Sequence, residues 1–173
     1  MILKIFKKDH GAVAAKDHEL KRSPKWNGAR KLHLSTFPHC QACHKPHPVK
    51  KVLHLLKAAV GLSPVQVHHI MPFHFCVLLG RPELELDGRN LVTLCESGFN
   101  HHLVIGHLNN FKTFNPNVIT FAAKYLGWDD EKIKGDPFYM KALQARPKTW
   151  AEMTDDEKKG LRSFMDNIFP VHA

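Results

Sequence analysis

Apolar positions along this 173-residue chain recur with two different periods, and the change of period marks out its elements. In PKWNGARKLHLSTF, residues 24–37, Trp26, Ala29 and Leu32 fall at i, i+3 and i+6. That spacing predicts a helix with an apolar stripe, with Lys25, Arg30 and Lys31 on its other faces. Ser23-Pro24 reads as its N-cap and first helical position, and Pro38 ends it. KKVLHLLKAAVG, residues 50–61, has apolar positions at Val52, Leu53, Leu56 and Val60 before Gly61, which predicts a short helix. The period then drops to two. VQVHHI, residues 65–70, alternates and is rich in β-branched residues, so a strand is expected there.

LDGRN, residues 86–90, is a turn signal leading into a second strand, NLVTLC, and residues 100–108 read as the first turns of a helix. The expected order is strand, loop, strand, helix. Asn115-Pro116 opens a helix closing at Leu126-Gly127, and Asp136-Pro137 opens another that ends before Pro147. Thr154-Asp-Asp-Glu157 is a capping box for a last amphipathic helix carrying Leu161, Phe164, Met165 and Ile168. Residues 1–22 are weakly patterned and expected to be helical in part. No internal repeat or low-complexity segment interrupts the chain.

The length suits one domain with helical additions. No apolar run reaches the roughly 18–20 residues that span a bilayer, so no membrane partner is expected. The start, MILKIFKKDHGAV, has too short an apolar stretch and no small-residue cleavage pattern, so a cytoplasmic location is expected. In that compartment Cys40, Cys43, Cys76 and Cys95 are metal ligands or buried thiols rather than disulfides. Of the formal charge of +9, residues 1–60 carry 13 Lys/Arg against 3 Asp/Glu, and the remainder is near neutral. A basic arm on a neutral body fits a polyanion binder, although a solvated surface explains a charge bias equally well. Of 14 histidines, ten lie between His39 and His107.

CQACH, residues 40–44, has two readings: attachment of a c-type haem, or half of a zinc site. The haem reading requires an exported protein. Further on, three pieces carry imidazoles: His68-His69-Ile70, then the strand from Asn90 to Cys95, then His101-His102. Phosphodiester hydrolysis needs a cation at the phosphate and a base that deprotonates water. Two histidines at a strand end can divide those tasks if the strand twists, a third from the facing helix completes the grip, and an Asn can tie the intervening loop.

HHIMPFH, LELDGRNLVTLCE and NHHLVIGHLNNFKTFNP, in that order and spacing, resemble an HNH endonuclease of the ββα-metal type. The resemblance reaches upstream to RSPKWNGARKLHL and CQAC and covers roughly residues 22–118. A basic segment over 1–22 and a helical extension packed on the core over 119–173 are expected from the charge and the helix signals there; the resemblance itself implies an α+β fold with a ββα-metal core and a zinc knuckle over residues 23–118. It also implies hydrolysis of DNA, expected to be double-stranded, leaving 5′-phosphate and 3′-hydroxyl ends. By that resemblance His69 is the general base and Asn90 positions the loop. His68 and His102 hold a divalent cation, and Cys40, Cys43, Cys95 and His101 hold a structural zinc. His101 stands where the family has a cysteine, and His39, His44 or His47 is a possible substitute.

On a regular helix His101 and His102 are about 100° apart, so each can face a different ion. His107 falls about 140° from His102, so either Gly106 breaks the helix and His107 reaches the metal, or His107 has another role. His74 is expected at a phosphate or in a structural hydrogen bond, and Cys76 as a buried thiol. Imidazole ligands suit manganese, nickel, cobalt or zinc better than magnesium, which stays open. Arg22, Lys25, Trp26, Arg30 and Lys31 are the expected DNA contacts, in a monomer or homodimer. The rival reading is a zinc-stabilised nucleic-acid-binding module without catalysis.

Overall fold

Two short strands of β-branched and apolar residues form the centre of the molecule. In the computed structural model, which describes residues 20–43, 65–96 and 98–170, β1 (Val65–His69) pairs antiparallel with β2 (Leu91–Cys95). The register sets Val65 opposite Cys95, Val67 opposite Thr93 and His69 opposite Leu91. Every residue of β2 is buried, and in β1 only Gln66 is half-buried, because helices and loops cover both faces of the pair. The architecture is α+β. The helix expected over 50–61, the segment 1–19, and His44 and His47 lie outside the described residues.

α1 runs over Trp26–Thr36. Regular helix begins two residues later than expected. Ser23 nevertheless opens it, with its carbonyl accepting the Trp26 N–H (3.0 Å) and its Oγ accepting the Lys25 N–H (3.2 Å). The stripe needs correcting, because Leu32 is 70% exposed and contributes nothing to the core. The inward face is Trp26, Ala29, Arg30, His33 and Leu34, spaced i, i+3, i+4, i+7 and i+8. Arg30 therefore points at the sheet and not away from it. Arg30, bonded to Gln66, and the buried His33, packed against the Phe37 ring, belong to this face, so apolarity alone located it wrongly.

The expected loop after β1 contains a helix, α2 (Phe73–Leu78). Pro72 starts it and Gly80 stops it: Arg81 N–H bonds the Cys76 carbonyl and Gly80 N–H the Val77 carbonyl, with Gly80 at φ 76°. This double bond pattern needs a left-handed residue, the conformation glycine adopts without penalty. Two 3₁₀ turns follow, Pro82–Glu85 and Gly88–Asn90, the second capped by Asp87 accepting the Arg89 N–H.

Past β2 come a π-helical turn (His102–Gly106) and four helices: α3 (Val118–Lys124), α4 (Asp130–Lys134), α5 (Pro137–Gln144) and α6 (Asp155–Ile168). Asp136 caps α5, and Thr154 and Glu157 form the capping box of α6. Ile168 is 40% exposed, while Met165 and the next residue, Phe169, are buried. These helices share the core of the sheet. The Tyr139 hydroxyl donates to the Val104 carbonyl (2.9 Å), and the buried Arg81 donates to Asp166 (2.8 Å) and to the Phe169 carbonyl (3.1 Å). Among the described residues no helix is long and apolar enough to cross a membrane.

Candidate metal centres

Cys40 and Cys43 lie on the loop after α1, Cys95 ends β2, and His101 immediately precedes the π turn. Their donor atoms lie within 4.8 Å of one another, and all four residues are buried. Cys40 Sγ is 3.4 Å from His101 Nδ1. Donors bound tetrahedrally to one ion at about 2.0–2.3 Å would stand about 3.5 Å apart, so the set fits a metal. The His101 ring is oriented from behind, with Nε2–H donating to the Trp128 carbonyl (2.8 Å), which leaves Nδ1 as the ligand atom.

Backbone bonds hold the knuckle: Gln41 N–H to the Thr93 carbonyl and Gly127 N–H to the Ala42 carbonyl. Hydrogen bonds from Cys43 and Cys95 push the Cys40 thiol far below its ordinary value, while those to Cys40 and Cys43 push Cys95 up. Burial pulls His101 down, but its bonds to Cys40 and Cys43 outweigh that and hold it at about 9. A bound metal would displace the protons that the cluster shares.

The second cluster is His68 from β1 with His102 and His107, whose donor atoms also lie within 4.8 Å. Ring centroids are 5.3 Å (His68–His102), 4.7 Å (His68–His107) and 4.8 Å (His102–His107) apart. The π turn settles the position of His107. Its wider winding brings residues five apart onto one face, where a regular helix would separate them. Asn115 completes the turn, its side chain donating to the Ile105 carbonyl and its N–H to that of Gly106. Gly106 is there because of close approach: a Cβ would stand 3.1 Å from His68 Cε1 and Nδ1.

His102 Nδ1–H donates to Glu96 Oε1 (3.0 Å) and His107 Nδ1–H to the Thr113 carbonyl (2.8 Å), so both rings keep the Nε2 lone pair. His68 Nε2 is buried with no hydrogen-bond partner. Burial, then His107, His102 and His69, push His68 well below its ordinary value, and burial followed by His102 lowers His107 to about 4. Imidazoles crowded around an unpartnered nitrogen fit a cation.

His69 leaves β1 on the other side. Its Nε2–H donates to the Glu85 carbonyl (3.0 Å), which frees Nδ1 as a base, and its ring lies 4.5 Å from that of Trp26. Burial foremost, then the Arg22 charge, lowers it to about 4 against the pull of that carbonyl. Asn90 is wholly buried, donates to the Met71 and Leu84 carbonyls (3.0 Å each) and accepts the Met71 N–H (2.7 Å). It therefore fastens the residue next to Glu85. The guanidinium of Arg22 lies 4.8 Å over Trp26 and 3.6 Å from the buried Glu85 carboxylate, whose other oxygen accepts the Ser23 N–H.

No protein-family model matches the chain, and neither the curated proteins nor the solved structures contain a match to it. The geometry itself brings together Cys40, Cys43, Cys95 and His101 in one cluster and His68, His102 and His107 in another, while His69 and Asn90 meet at the neighbouring carbonyls of Glu85 and Leu84. His39 is exposed and outside the cysteine cluster, and His74 is exposed against Phe75. Cys76 is a buried thiol donating to the Met71 carbonyl, pushed up to about 12 by burial and then by Glu83. Lys25 and Lys31 are exposed, whereas Arg30 bonds Gln66 (2.9 Å). Sequence reasoning missed Glu96, although it directly follows Cys95, and missed the carbonyls of Glu85, Thr113 and Trp128. Any residue supplies a carbonyl, so those three leave no sequence signal.

Proposed function

We propose that this protein is a metal-dependent endonuclease of the HNH type acting on double-stranded DNA, with zinc in the cysteine cluster. The observation that carries the proposal is the convergence of His68, His102 and His107 around an unpartnered Nε2, with His69, the next residue of β1, keeping its Nδ1 free. The order β1, β2, π turn supports a ββα-metal core. A divalent cation held by the three imidazoles would offset charge on the phosphate and the leaving oxygen.

The chain's own residues supply the rest. His69 Nδ1 accepts the proton of the attacking water, and the Glu85 carbonyl holds the ring in the tautomer that permits it. Asn90 keeps that carbonyl in place through Leu84, and Trp26 shields the ring from solvent. The exposed Lys25 and Lys31 supply sequence-independent phosphate contacts. Plasmid cleavage with magnesium, manganese, cobalt, nickel and zinc tests the proposal, with His69→Ala as the control. We expect cutting with at least one ion and a loss of at least about 100-fold in the variant. Binding without cutting under every ion would leave the zinc-stabilised binding module. Equal cutting by His69→Ala would remove the base assignment.

A further inference from the structure

We propose that Glu96, held by Gln66 and Arg30, is a positioning residue that sets the tautomer and strengthens the metal grip of His102; this rests on reading His68, His102 and His107 as ligands. Three elements and the residue that follows β2 contribute one polar chain. Arg30 Nη2 on α1 donates to Gln66 Oε1 on β1 (2.9 Å), Gln66 Nε2 donates to Glu96 Oε2 just past β2 (3.1 Å), and Glu96 Oε1 accepts from His102 Nδ1 on the π turn (3.0 Å).

Each link has a fixed direction. A guanidinium only donates, so the Gln66 oxygen must face Arg30 and its NH₂ must face Glu96. A carboxylate only accepts, so His102 carries its proton on Nδ1 and keeps Nε2 for the metal. Without Arg30 the Gln66 amide is free to flip and to present its oxygen to the carboxylate, which repels it. His102 is also set apart from its neighbour, because His107 is oriented by a neutral backbone carbonyl and His102 by a formal negative charge. Among the three imidazoles, that charge makes a metal-bound His102 the stronger electron donor and offsets part of the charge of a bound divalent ion.

The test uses the full-length protein with its cysteine site loaded with zinc. Cobalt affinity is measured by competition with a chromogenic chelator, and imidazole ¹⁵N shifts report the His102 tautomer in the cobalt-free protein. His102→Ala tests the ligand reading itself. We expect Glu96→Ala to weaken cobalt binding by about 10–100-fold and to mix the His102 tautomers. Glu96→Gln, which still offers an acceptor, should keep the tautomer yet weaken binding. Gln66→Leu and Arg30→Ala should each lose less than Glu96→Ala, and neither should add a further loss to it, because one chain carries all three. Wild-type affinity and an unchanged tautomer in Glu96→Ala, with binding lost in His102→Ala, would overturn the inference and leave the ligand reading standing. Wild-type binding in His102→Ala would overturn the reading beneath it. Should Glu96→Ala fail to fold, Glu96→Gln and Gln66→Leu decide, and wild-type cobalt affinity in both overturns the inference.

Discussion

At the residue scale, His69 shows one environment setting both tautomer and basicity. A histidine in an unfolded chain titrates near about 6.5, whereas His69 is lowered to about 4, chiefly by burial. The folded state therefore binds fewer protons between those values, so stability rises with pH across that window. The contribution is complete above about 6.5 and is lost as pH falls toward about 4. Trp26→Ala removes part of the burial, so His69 should move up toward its ordinary value, which NMR titration of the metal-free protein would show. The acid limb of a cleavage profile should shift to higher pH with it. Gly106→Ala makes a separate prediction. The added methyl would stand 3.1 Å from two His68 ring atoms, on a ring that is itself buried. His68 must shift, and cobalt affinity in a chelator competition should fall about tenfold while the fold persists.

At the scale of elements, α1 and the π turn do work that their local pattern does not announce. In α1, Lys25 and Lys31 face solvent while Arg30 is committed to Gln66. If the helix lies on a DNA backbone, Lys25→Ala and Lys31→Ala should each reduce the log–log salt slope of binding by about one, uniformly across sequences. Arg30→Ala should change that slope less and show itself in metal affinity instead. Binding isotherms at several salt concentrations separate the two effects. The π turn depends on Asn115, nine residues beyond its last member, because the side chain and N–H of Asn115 take the carbonyls of Ile105 and Gly106. Asn115→Ala would leave the Ile105 carbonyl without that donor in a buried setting, a loss of about 1–3 kcal/mol in a denaturant titration. His107 should loosen as a result.

At the scale of the whole molecule, the cysteine cluster joins parts that are distant in sequence. Cys40 and Cys43 follow α1, Cys95 ends the sheet, and the His101 ring is oriented by Trp128, beside the Gly127 that bonds Ala42. Metal bound there links α1, β2, the π turn and the end of α3, so its binding free energy is folding free energy. Elemental analysis should find about one tightly held zinc per chain. Strong chelators or Cys40→Ser should lower the thermal midpoint sharply, and the near-UV signal of the buried Tyr125 and Tyr139 should fall in the same transition. Loss of zinc without loss of stability would show the knuckle to be an appendage.

Much of this was legible in the residues, because the interactions concerned are local. Period-two alternation located β1 and the LDGRN turn signal located β2, and Asp136 and the Thr154–Glu157 box cap α5 and α6 through contacts spanning two or three residues. The ligand types were legible too, since only cysteine offers a thiolate and only histidine an imidazole donor. Other features were decided by tertiary structure. Leu32 was read as core because it is apolar, yet the inward face of α1 carries Arg30 and His33. His107 reaches the other imidazoles only through π winding that Asn115 and a close-packed Gly106 sustain. Glu96 gains its role from Gln66, 30 residues away, and His69 its tautomer from a carbonyl 16 residues away. Composition and period report which groups a chain offers, whereas the direction of a hydrogen bond depends on which groups folding brings opposite one another.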